Sequence, residues 1–67
     1  MSTRVAIVSG EVPAASYNNK PRILKPGDYE VVDVSNPIPG CVYVVSRSGY
    51  VWHTAVADPR ISIEHRS

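Results

Sequence analysis

At 67 residues the chain has room for one domain, residues 1–67, and is so short that an enclosed catalytic cleft is hard to build. Seven Lys and Arg against six Asp and Glu leave a net charge of +1, without the basic excess usual in a nucleic-acid-binding domain. A single cysteine excludes an intrachain disulfide, and with two scattered histidines it gives no zinc-ligand spacing. Of the usual supports of a very small core, self-association or docking onto a partner remains. One thiol fits a reducing compartment, and the apolar run Val5 to Val8 is too short for a signal peptide or a membrane span. The expectation is a soluble intracellular protein that does not enter a membrane.

Valine dominates the apolar residues, phenylalanine is absent, and six prolines and four glycines punctuate short β-branched runs. That pattern predicts an all-β chain. A first strand is expected at Arg4–Ser9, followed by an irregular polar connection from Gly10 to Pro21 containing Pro13 and the turn-prone pair Asn18-Asn19. Arg22-Ile23-Leu24 reads as a short strand, stopped by Lys25-Pro26-Gly27-Asp28, where the Pro-Gly centre predicts a type II turn. Tyr29–Val34 is the next strand, and Pro37 and Pro39 prevent Ser35–Gly40 from continuing it. Cys41–Ser46 and Tyr50–Val56 form a hairpin around Arg47-Ser48-Gly49, with Gly49 suited to positive φ. Ala57–Arg60 is a turn, and Ile61-Ser62-Ile63-Glu64 alternates as a half-buried last strand does.

The order and lengths of these pieces resemble an SH3-like barrel over most of the chain. The segment Ile23-Leu24-Lys25-Pro26-Gly27-Asp28-Tyr29-Glu30-Val31-Val32 is similar to the family's Leu-x-hydrophobic-x-x-Gly-Asp-x-hydrophobic entry into its second strand. Ala57–Arg60 falls where the family has a single 3₁₀ turn before the closing strand. The resemblance implies a small barrel of five to six short antiparallel strands. It does not imply polyproline recognition: the paired tyrosines after the first strand are missing, Cys41-Val42 stands where a tryptophan pair begins the third strand, and no tyrosine follows Pro59.

No catalytic, metal or cofactor site is expected. Cys41 and His53 sit on the two hairpin strands, and His53 faces Val44 if the loop is Ser48-Gly49, or Tyr43 if Gly49 forms a bulge. Either register leaves about 7–10 Å between Cys41 and His53 along the strand, too far for a base to reach a thiol. Asp28 and Asp58 flank turn residues, where aspartate bonds the turn backbone. No glycine-rich phosphate loop precedes a helix.

The hairpin carries the strongest signal for function. Val42-Tyr43-Val44-Val45 and Tyr50-Val51-Trp52 are apolar on both faces, so one face lines the core, the one carrying Trp52, and the other is left to an interaction. Val42, Tyr43, Val44, Val45, Tyr50 and Trp52 are therefore the candidate protein-interaction residues. The expected function is a non-enzymatic interaction or structural module that self-associates or docks into a larger assembly, such as a viral particle. One alternative is a nucleic-acid-binding barrel in which Arg47, Tyr50, Trp52, His53 and Arg60 form a basic aromatic platform. Another is a small inhibitor that binds a host enzyme.

Overall fold

A computed structural model describes residues 3–16 and 18–66. Seven short strands run β1 (Thr3–Val8), β2 (Val12–Ser16), β3 (Pro21–Leu24), β4 (Gly27–Glu30), β5 (Cys41–Val45), β6 (Val51–Ala55) and β7 (Ile61–Arg66). All pairings are antiparallel, and the described residues contain no helix. They form a three-stranded sheet, β4-β1-β7, and a four-stranded sheet, β3-β2-β6-β5. Neither sheet closes on itself.

The two sheets meet at one corner. The amide of Val31 donates to the carbonyl of Arg4 on β1 at 3.0 Å, and the next amide, Val32, donates to Tyr43 on β5 at 2.9 Å. The chain thus leaves one sheet and joins the other within two residues, and Val31 pairs with Val44 there. Corners of packed sheets are commonly made by strands that switch partners in this way. The expected strand Tyr29–Val34 accordingly ends early: the regular ladder stops at Glu30 and only Val31 continues as a bridge.

The core lies between the sheets. Ala6 and Val8 from β1, Val12 from β2, Leu24, Tyr29, Val42, Val44 and Ile61 are buried together, with Ala14, Val31, Trp52 and Ile63 packed against them. Alternation along β5 sets which side chains enter: Val42 and Val44 point inward, and Cys41, Tyr43 and Val45 point out. At β6 the inward residues are Trp52 and Thr54, which pair with Val44 and Val42.

Three expectations need correction. The connection from Gly10 to Pro21 is not irregular, because Val12–Ser16 forms β2, in the interior of the four-stranded sheet. Pro13 is tolerated there because the β2–β6 ladder covers only Ala15 and Ser16, so β2 is partnered on one side alone at Pro13. On the other side the carbonyl of Pro13 accepts the hydroxyl of Thr54 at 2.8 Å. The described residues therefore form seven strands rather than five to six. The turn before β4 also differs: Gly27 has φ 151°, not the roughly +80° of a type II turn. The carbonyl of Lys25 is instead satisfied by the hydroxyl of Tyr29 at 2.5 Å.

Candidate functional site: a basic aromatic groove

Two hairpin loops built on one plan project side by side. In the β5–β6 loop, Ser46 N–H donates to Tyr50 O at 2.8 Å, Gly49 N–H donates to Ser46 O at 2.9 Å, and Gly49 has φ 88°. In the β2–β3 loop, Ser16 N–H donates to Lys20 O at 3.0 Å, Asn19 N–H donates to Ser16 O at 2.9 Å, and Asn19 has φ 61°. Asparagine is the non-glycine residue that most readily takes this conformation. Each loop is anchored by the buried serine that opens it. Ser46 Oγ donates to Tyr50 O at 2.7 Å, and Ser16 Oγ donates to Asn18 Oδ1 at 2.6 Å.

Between the loops lies an open hollow of about 580 Å³, lined by Ser16, Asn18, Arg22, Ser48, Tyr50 and Trp52. A second hollow of about 260 Å³ adjoins it through Ser48 and Trp52 and adds Ile23, Lys25, Tyr29 and Arg47. Together they make one groove over the end of the core, with the half-buried Trp52 shared by both halves. Tyr50 is 73% exposed and Ile23 51%, so the apolar wall is presented to solvent. Tyr50 immediately precedes β6 and Trp52 lies within it, and both face the same hollow.

The charge of the groove is one-sided. Arg22, Lys25 and Arg47 line it, and no carboxylate does so among the described residues. Elsewhere the arginines are committed: Arg4 pairs with Asp33, Arg60 with Asp58, and Arg66 with Glu64 and Asp28. Lys20, Arg22, Lys25 and Arg47 have no carboxylate partner among the described residues. The cause is in the sequence: no acidic residue occurs between Glu11 and Asp28 or between Asp33 and Asp58. Those two acid-free stretches supply all four strands of the β3-β2-β6-β5 sheet and both loops. The net charge of +1 conceals this separation between the sheets.

The sequence-predicted residues divide accordingly. Tyr50, Trp52 and Arg47 come together in the groove. His53 does not: it points to the opposite side of β6 from Trp52, faces Tyr43 in the Gly49-bulge register, and rests its ring on that of Tyr43 with centroids 5.2 Å apart. Arg60 does not either. Its guanidinium donates to both carboxylate oxygens of Asp58, at 2.9 and 2.7 Å, and to Glu11 O at 2.6 Å. Glu11 precedes β2, about 16 Å of extended chain from Ser16. The hydrogen bonds from Arg60 hold Asp58 down at about pKa 2, against 3.8 ordinarily.

Val42 and Val44 are buried core residues. Tyr43 and Val45 lie half-buried on the outer hairpin face with Val51 and His53, where the hydroxyl of Tyr43 accepts the Ile38 amide at 3.0 Å. Cys41 is a half-buried free thiol opposite Ala55. Arg22, Lys25, Ser16 and Asn18 were missed as site residues. The signal for the two cations was legible: Lys20, Arg22 and Lys25 fall within six residues, inside a stretch without acids.

Among the described residues no group of three His, Cys, Asp or Glu side chains is placed to hold a metal ion, and no helix is long and apolar enough to cross a membrane. No protein-family model, characterised protein or solved structure matches the chain.

Proposed function

We propose that this chain is a non-enzymatic binding module, a small SH3-like barrel that docks into a larger intracellular assembly through the groove between its β2–β3 and β5–β6 loops. The observation that carries this reading is the separation of charge. Three cations and two exposed or half-exposed aromatic rings converge where no carboxylate intervenes, while the arginines of the other sheet are neutralised locally. A surface of that kind favours an extended, anionic partner. The strand exchange at Val31 and Val32 supports the barrel, since it lets two short sheets share one core.

The experiment is amide and indole chemical-shift mapping by NMR, titrating first a polyglutamate peptide and then a short oligonucleotide. Shifts confined to the two loops, Trp52 and β3 support the groove as the working surface. Shifts scattered over β1, β4 and β7, or none with either probe, refute it.

A second reading has its own observation. The outer hairpin face, with Cys41, Tyr43 and Val45 opposite Ala55, His53 and Val51, carries no Lys, Arg, Asp or Glu. A second copy of the chain fits such a face without burying an unpaired charge. Concentration-dependent sedimentation tests it.

A further inference from the structure

The structure assigns the groove a more specific occupant, and the assignment rests on the reading above: we infer that it holds a single strand of nucleic acid, with Tyr50 and Trp52 stacking on bases and Arg22, Lys25 and Arg47 meeting the phosphates. Proteins that bind single strands combine a cationic track with aromatic side chains that take successive bases. Both parts are present here and line the same groove. Tyr50, just before β6, and Trp52 within it line the same hollow, and positions two residues apart in extended chain are about 7 Å apart along the backbone, which leaves room for a base at each. The cations flank them: Arg22 from β3 on one wall, Arg47 from the β5–β6 loop on the other, and Lys25 at the end of β3.

The remaining lining is uncharged and polar. Asn18 and Ser48 line the hollow with amide and hydroxyl groups suited to the donors and acceptors on base edges, while the Ser16 hydroxyl is spent on holding Asn18. An acidic peptide would satisfy the cations, but it would leave the two rings without a planar partner. A duplex would present phosphates while keeping its bases stacked on each other, out of reach of Tyr50 and Trp52. The low overall charge is compatible with this occupant, because binding answers to the local row of cations. Lys20, Arg22, Lys25 and Arg47 are all on the acid-free half of the molecule.

Trp52 is the only tryptophan, so its fluorescence reports directly on the groove. The test titrates the intact chain with oligothymidylate and oligouridylate of about 10 nucleotides, within the span one small barrel covers. Titrations are run at two salt concentrations, with polyglutamate and a duplex of equal length as comparisons. The expected result is quenching of Trp52 by both single strands and weaker binding of the duplex. The slope of log K on log salt should be roughly −2 to −3 for three to four neutralised phosphates. Tyr50→Ala removes a side chain that the core does not use, so the fold is retained, as circular dichroism checks. Affinity should fall about 5- to 150-fold through the loss of one stacked base. Arg22→Gln should shorten the salt slope by roughly 0.7, and Arg60→Gln should leave it unchanged.

If polyglutamate quenches Trp52 and the single strands do not, the nucleic-acid assignment is overturned while the groove stands as a site for acidic protein segments. If duplex binds as tightly as single strand and Tyr50→Ala has no effect, stacking is overturned. If no anionic probe alters Trp52, both the assignment and the groove reading fall.

Discussion

The guanidinium of Arg47 lies over the ring of Tyr29, 5.6 Å from its centroid, and donates through Nη2 to the carbonyl of Pro26 at 2.7 Å. One side chain from the β5–β6 loop thereby fastens that loop to the turn before β4, and fixes one wall of the groove. Tyr29 is itself held, buried in the core and bonded to Lys25 O. The arrangement requires glycine at position 27. A Cβ there would collide with the Arg47 guanidinium, and the backbone at φ 151° is one that side-chain-bearing residues rarely adopt.

Gly27→Ala should therefore release Arg47 and loosen the groove. Arg47→Ala should remove the cation–π contact, worth about 0.5–1 kcal/mol at an exposed position, together with the hydrogen bond to Pro26. Thermal unfolding should show the larger loss for Gly27→Ala, which adds backbone strain to the loss of the same contacts. Equal stability of Gly27→Ala and the parent would mean that Arg47 does not dock on the turn.

Thr54 holds β2 and β6 together where their ladder has ended. Its hydroxyl is the partner of the Pro13 carbonyl, and its side chain is buried beside Val42. Thr54→Val keeps the shape and deletes the donor. The predicted cost is about 0.5–1.5 kcal/mol, the net worth of one hydrogen bond. Urea denaturation measures it, and a value near zero would show that Pro13 O finds water instead.

The all-β character, the hairpin and its apolar double face were legible because strand alternation and Gly49 are local signals. Strand β2 was not. Pro13 and two alanines argue against a strand locally, and the proline is acceptable only because the β2–β6 ladder stops short of it, at Ala15. The early end of β4 was hidden for the same reason, since the exchange of partners at Val31 and Val32 depends on β1 and β5 together. At the site, the aromatic pair Tyr50 and Trp52 was legible from its spacing. His53 and Arg60 lie outside the groove for separate reasons. His53 is one residue from Trp52 and so faces the other way, whereas Arg60 is captured by Asp58 two residues before it.

The register resolves the hairpin into two rows, and lysine substitution should read them out. Val44 is fully buried and Val42 nearly so, so Val42→Lys and Val44→Lys should abolish folding by placing an unpaired charge in the core. Val45→Lys and Tyr43→Lys fall on the outer row and should remain folded, Tyr43→Lys with some loss because Ile38 N–H loses its acceptor. If the outer face joins two copies, these two variants should sediment as monomers while Tyr50→Ala keeps the parent mass. If the parent is itself monomeric at every accessible concentration, self-association through this face is eliminated.

Asp58 gives a pH dependence with a defined sign. Its carboxylate accepts the Nε and Nη2 of Arg60 and also the Arg60 backbone amide at 2.9 Å. These bonds favour the charged form and bring its pKa from 3.8 to about 2. A group whose pKa is lower in the folded state binds its proton more readily when unfolded. Its contribution is therefore complete above pH 3.8, declines as the pH falls, and is gone below about pH 2. Asp58→Asn abolishes that titration. Its midpoint of thermal unfolding should lie below that of the parent by a constant amount above about pH 5, and the two curves should converge between pH 4 and 2. The same substitution frees Arg60, which also secures Glu11 O and whose own carbonyl accepts Ser9 N–H at 2.9 Å. Amide exchange should consequently quicken at Ser9, at the end of β1, and not at Ser16 or Ser46, which belong to the two loops of the groove. A gap between parent and variant that stays the same from pH 7 down to pH 2 would show that Asp58 titrates at its ordinary value and that the ion pair with Arg60 is not maintained in solution.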